Sequence, residues 1–120
     1  MRLFVIEMEP IENNVDGEFD SIQYKGGIEL AGFGIFERPT MTIVKKVVGN
    51  AVDKLEKKCQ KYEKLSVHVK KVHEREKGEK YELKFMLIDN GIVFNSEIVD
   101  RNVLFALGEG LGRIDKMISK

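Results

Sequence analysis

Hydrophobic and polar positions along this chain follow two different periods, and the places where one gives way to the other mark out the predicted elements. Leu3 to Met8 is a short apolar run that predicts a strand, stopped at Glu9-Pro10 because proline has no amide to give a ladder. The acidic, turn-rich stretch Glu12-Asn13-Asn14-Val15-Asp16-Gly17-Glu18 predicts a loop. Ile28 and Leu30 alternate with Glu29, and the run continues through Gly32-Phe33-Gly34-Ile35-Phe36. It predicts a strand over 28–36, bulged or bent at its glycines. From Val44 the period changes. Val44, Val48, Ala51, Val52, Leu55, Cys59 and Tyr62 recur at spacings of mostly three and four, the spacing of one helical face. A helix is predicted from a Thr40 or Thr42 cap to Lys64.

Period two then returns. Leu65, Val67 and Val69 alternate with Ser66, His68 and Lys70, and Tyr81, Leu83, Phe85 and Leu87 with Glu82, Lys84 and Met86. Glu74 to Glu79 predicts a charged hairpin loop. Asn90-Gly91 predicts a tight one, because both residues tolerate positive φ. Ile92 to Val99 is the next predicted strand. After it, Asp100 is predicted to cap a last helix with Val103, Leu107, Leu111, Ile114 and Ile118 on one face. From Ile28 the order is β-α-β-β-β-α. One apolar stripe per helix and alternating strands predict a two-layer α+β fold, an antiparallel sheet with both helices on one face and an extra N-terminal strand. At 120 residues this is one domain: an acidic leader, 1–27, and a core, 28–120.

Charge changes the picture more than composition does. The net charge is zero, yet residues 1–41 carry 3 Lys/Arg against 8 Asp/Glu, residues 42–80 carry 12 against 6, and residues 81–120 carry 5 against 6. The middle third is a basic island. With Val44 at zero on a helical wheel, the apolar residues centre near about 20°, and Lys46, Lys54, Lys57, Lys61 and Lys64 fall between about 200° and 280°. Lys45, Glu56 and Glu63 take the other edge. On the last helix Arg113, Lys116 and Lys120 fall at about 220° to 280° from Val103, with Glu109 among them. Lysines in a row are point charges suited to phosphate oxygens and not to base edges, so the expected partner is a nucleic-acid backbone.

Other chemistry is weakly specified. His68 and His73, the two histidines, sit five apart on a strand and point to opposite faces, so a shared metal is not expected. Cys59, the single cysteine, excludes a disulfide framework and a multi-thiolate zinc site, and on the apolar stripe it reads as an inert thiol. Gly108-Glu109-Gly110-Leu111-Gly112 lacks the preceding strand of a dinucleotide loop and the Gly-Lys-Ser/Thr ending of a P-loop. Gly108 and Gly112 flank one side and are expected to admit a close helix or subunit contact, unless the helix breaks there. Phe105, at about 200° and off the apolar stripe beside Gly112, joins them as an expected oligomer contact. No metal, cofactor or catalytic constellation is expected. No run approaches the ~20 apolar residues of a membrane span, and no secretory signal is visible, so a cytoplasmic protein is expected.

The stretch from the first helix to the C-terminus resembles the ribosome-hibernation family, which includes the hibernation-promoting factor and the ribosome-associated inhibitor. The residues that carry the resemblance are Val52-Asp53-Lys54-Leu55-Glu56-Lys57, Leu65-Ser66-Val67-His68-Val69, Tyr81-Glu82-Leu83-Lys84-Phe85, Asn90-Gly91 and Arg113-Ile114-Asp115-Lys116-Met117-Ile118. The resemblance spans roughly residues 28–120 and implies a β-α-β-β-β-α fold, binding to the small ribosomal subunit in the channel used by mRNA and tRNA, and silencing of translation. Carried over by position, Lys54, Lys57, Lys61, Arg113, Lys116 and Lys120 would face ribosomal RNA. Lys58 stands where that family has an apolar residue, and Gly108, Gly110 and Gly112 depart from its last helix. The α-β-β-β-α core is also similar to the double-stranded-RNA-binding domain, but Arg101-Asn102-Val103-Leu104 replaces that family's lysine cluster. Two other readings stand beside RNA binding: a homo-oligomeric interaction module, and a small ligand-binding or enzyme domain using the carboxylates of Asp16 to Asp20.

Overall fold

A computed structural model describes residues 21–23, 27–76 and 78–118. The predicted strand at Leu3–Met8, the acidic loop, the carboxylates of Asp16 to Asp20 and Lys120 lie outside the described residues. The elements are β1 (Ser21–Gln23), β2 (Ile28–Ala31), a 3-10 turn (Phe33–Ile35), α1 (Arg38–Lys58), β3 (Tyr62–Glu74), β4 (Gly78–Asp89), β5 (Ile92–Asp100) and α2 (Val103–Ile118). The fold is α+β, and from β2 onward its order is the predicted one.

The strands form one sheet in the order β1-β2-β3-β4-β5. It is mixed, not wholly antiparallel: β2 runs parallel to β3, with Ile28 opposite Leu65 and Leu30 opposite Val67. The reason is α1. A helix of 21 residues carries the chain back along the sheet, so β3 starts level with the start of β2. The β3–β4 and β4–β5 pairs are antiparallel hairpins, and Asn90 (φ 53) and Gly91 (φ 82) adopt the left-handed pair expected of the tight turn.

Register sorts the strand residues into two faces. Ile28, Leu30, Leu65, Val67, Val69, Leu83, Phe85, Leu87 and Ile98 are buried on one face, where they meet Val44, Val48, Val52 and Leu55 of α1 and Val103, Leu107, Leu111 and Ile114 of α2 in a single core. Burying each such side chain contributes roughly 1.5–3 kcal/mol before entropy. The other face is solvated and includes His68, Lys70, Lys84, Asn95 and Glu97.

Several boundaries differ from the sequence prediction. β2 stops at Ala31 because Gly32 turns the chain at φ +83. A Cβ there would lie 2.2 Å from the Val69 carbonyl oxygen, so no other residue fits. Phe33 consequently enters the core, and Phe36 packs on Phe33 and Tyr81. α1 begins at Arg38 with Glu37 at its N-cap, and Thr42 Oγ1 donates back to the Arg38 carbonyl, so neither threonine caps the helix. Asn102 caps α2 in place of Asp100. Its Oδ1 accepts from the Leu104 and Phe105 amides at 3.0 and 3.1 Å, while Asp100 Oδ1 accepts from the Asn102 amide one turn earlier. α2 is unbroken across its three glycines.

Candidate nucleic-acid interface

The candidate interface is the outer surface of the helix layer. On α1 the buried stripe Val44-Val48-Val52-Leu55 fixes the rotation of the helix, and Lys46, Lys54 and Lys57 are left exposed. Lys57 and Lys58 occupy the last turn, where the negative end of the helix dipole favours cations. The helix stops at Lys58, not at Lys64. The last helical bond runs from the Cys59 amide to the Leu55 carbonyl, and Cys59 is extended (φ −73, ψ 151). Asp89, at the end of β4, then accepts from the amides of Gln60 and Lys61 at 3.3 and 2.8 Å, and the Asn90 amide donates to the Lys61 carbonyl. These bonds pull the chain straight into β3.

Lys61 and Lys64 therefore leave the predicted helical row. Lys61 is exposed in the α1–β3 connection. Lys64 is on the solvated face of β3, where its ammonium pairs with Glu29 at 2.8 Å.

On α2 the cations divide. Lys58 Nζ reaches Asp115 Oδ1 at 2.8 Å, which identifies the flank of each helix that faces the other. Taking Asp115 at about 120° on the α2 wheel, Lys116 is about 100° away on the outer surface and Arg113 about 160° away, on the flank turned from α1. Arg113 there lines a shallow groove between α2 and the edge strand β5, together with Glu97, Val99, Phe105 and Glu109. On α1, Lys58 is at about 320°, so Lys54, at about 280°, is on the α2 side; Lys57 and Lys46, at about 220° and 200°, point outward with the exposed acid Asp53 beside them at about 180°, and Glu56, at about 120°, is on the far side. Of the eight-residue basic set, Lys46, Lys54, Lys57 and Lys116 are spread along the outer surface of the two helices, Arg113, Lys61 and Lys64 lie elsewhere, and Lys120 is outside the described residues.

Ion pairing divides the cations along a different line, since Lys61 and Arg113 share with the helix-layer lysines the lack of an ion pair among the described residues. Lys58, Lys64 and Lys71 have carboxylate partners, at 2.8, 2.8 and 3.5 Å. Among the described residues no ion pair holds Lys46, Lys54, Lys57, Arg113 or Lys116.

The remaining candidates have structural places. His68 is exposed on the solvated sheet face, and His73 projects from the opposite side of β3. Among the described residues no cluster of His, Cys, Asp and Glu is placed to hold a metal ion. Phe105 is 57% exposed, and Gly108 and Gly112 face open space. Of the three α2 glycines the one that packs inside the chain is Gly110, which sequence spacing left without a role. Sequence reading also passed over Val93 and Val99, exposed on the solvated side of β5. The available signal was an apolar residue on both faces of one strand.

Cys59 is half-buried beside Asp89, and burial, with the Asp89 carboxylate next, pushes its thiol up from 9.0 to about 11. At pH 8 its thiolate is then about a hundredfold scarcer than in an unfolded chain. Iodoacetamide should accordingly alkylate the native protein about a hundredfold more slowly than the denatured one, and equal rates would remove this account. The associated stability is complete below pH 9 and is lost as pH rises from 9 towards 11.

Among the described residues no helix is long and apolar enough to cross a membrane. No protein-family model matches the chain, and comparison with curated proteins finds no match.

Proposed function

We propose that this chain is a non-enzymatic RNA-binding protein that lays the outer surface of its helix layer on RNA phosphates, and that its target is the small ribosomal subunit, where it inhibits translation. The observation that carries the RNA reading is the group of Lys46, Lys54, Lys57 and Lys116, ordered on two adjacent helices and held by no ion pair among the described residues. A lysine with no carboxylate partner keeps its charge for an incoming anion, whereas Lys58 and Lys64 have Asp115 and Glu29. Point charges on the exposed surface of two helices suit recognition of RNA by shape and backbone. The ribosome as the particular RNA follows from the resemblance to the hibernation family, whose element order this chain shares.

The test is capture of ribosomal particles from native lysate, followed by nuclease digestion, with the affinity of the purified complex measured against salt. Small-subunit material should be retained and then released on digestion. Four phosphate contacts predict a log–log salt slope of about −3 to −4. Retention that survives nuclease, or an affinity indifferent to salt, overturns the proposal.

A further inference from the structure

The groove beside α2 points to a second surface, independent of the RNA reading. β5 is an edge strand nine residues long, hydrogen-bonded only to β4 among the described residues. Its ladder runs without a bulge from Ile92 opposite Asp89 to Asp100 opposite Tyr81. The strand contains no proline and no lysine, the usual means of blunting an edge. Its outer backbone groups are thus in register to accept another strand.

The exposed valines are arranged symmetrically about the middle of that strand. Ser96 is the central residue of Ile92–Asp100. Val93 and Val99, three residues either side, are 49% and 47% exposed on the solvated face. We propose that β5 pairs antiparallel with β5 of a second copy of this chain, about a two-fold axis at Ser96, joining the two sheets into one. In that register Val93 is opposite the partner's Val99 and Asn95 opposite the partner's Glu97, each pair occurring twice. An unrelated peptide would give no reason for such placement, whereas a two-fold contact requires every patch to be its own complement.

The helix layer obeys the same axis. Ser96 Oγ donates to the Gly110 carbonyl at 3.2 Å, so the middle of α2 is level with the middle of β5. The groove flank of α2 carries Phe105, Glu109 and Arg113 in order. Reversed by the two-fold, Arg113 of one copy meets Glu109 and the Phe105 ring of the other, an ion pair and a cation over an aromatic face. This covers the exposed Phe105 and gives Arg113 a partner, while the α1 lysines stay outside the contact.

Sedimentation equilibrium of the full chain across rising concentration tests this. The wild type should show a reversible monomer–dimer equilibrium. Val93→Lys and Val99→Lys, each with an unchanged circular dichroism spectrum, should weaken it at least about tenfold, since one substitution places a charge at two sites. Glu109→Arg and Arg113→Glu should each be weakened alone, and an equimolar mixture of the two should recover dimer, because only the mixture brings opposite charges together. A wild type that stays monomeric at millimolar concentration overturns the proposal, as does a dimer untouched by the valine substitutions or a mixture no tighter than its components. The RNA reading stands or falls separately, because it uses none of these side chains.

Discussion

Gly110→Ala should destabilise the domain by about 3 kcal/mol or more, lowering its melting temperature by roughly 10–20 °C, although alanine is the better helix former. A Cβ at Gly110 would fall 2.0, 2.3 and 2.5 Å from Cε1, Cζ and Cδ1 of Phe85, against the ~3.5 Å at which carbons attract. Those atoms are the far end of a side chain, but that ring is 1% exposed and hemmed in by the core, so it has nowhere to swing. Lifting α2 instead would pull the Gly110 carbonyl off Ser96 and uncover Leu107, Leu111 and Ile114. The propensity gain of about 1 kcal/mol is therefore outweighed. Gly108→Ala and Gly112→Ala are internal controls. Their added methyls meet nothing within 4 Å, so each should raise stability by up to about 1 kcal/mol. Thermal melts of the three single variants decide the matter, and partial rescue of Gly110→Ala by Phe85→Leu would identify the ring as the obstacle. Equal melting temperatures for Gly108→Ala and Gly110→Ala would show that α2 does not rest on Phe85.

The contrast among these glycines shows where the sequence was legible. Local regularity was readable: the 3.6-residue stripe of Val44, Val48, Val52 and Leu55, the alternation of Leu65 to Val69 and Tyr81 to Leu87, and the Asn90-Gly91 turn all stand where the pattern put them. What escaped depends on partners distant in the chain. Cys59 and Tyr62 continue the helical spacing, so the pattern alone extends α1 to Lys64. The helix ends sooner because the Asp89 carboxylate, 28 residues beyond Lys61, takes that amide. Gly32 looked like a bulge within a strand, but the Val69 carbonyl makes it a turn. Gly110 could not be ranked above Gly108 and Gly112 until Phe85 was placed under it. The basic site followed the same rule. Lys46, Lys54 and Lys57 lie inside the regular part of α1 and stayed together, Lys61 and Lys64 lie beyond its tertiary stop, and Arg113 was lost to the group only when Asp115 was seen to face Lys58.

That division predicts which substitutions abolish the proposed RNA binding. Lys46→Glu, Lys54→Glu and Lys57→Glu combined should eliminate ribosome co-sedimentation while leaving the domain folded. Each lysine–phosphate contact releases close to one counterion, worth about tenfold in affinity at about 0.1 M salt, so losing three costs about a thousandfold before the new carboxylates add repulsion. The fold should hold because all three side chains are exposed and no ion pair holds them among the described residues; Lys46→Glu and Lys54→Glu are surface changes worth within about 0.5 kcal/mol each, and Lys57→Glu costs up to about 1 kcal/mol because it puts an anion at the negative end of α1. Lys116→Ala should cost about tenfold and flatten the salt slope by about one. Lys58→Ala and Lys64→Ala should change affinity far less, since Asp115 and Glu29 already take up those charges, and Arg113→Glu should spare RNA binding because the far flank of α2 faces β5. Co-sedimentation of the triple variant at the wild-type level would remove the RNA reading. An equal loss from Lys64→Ala would instead move the contact to the solvated face of the sheet, where Lys64 is placed with His68, Lys70 and Lys84.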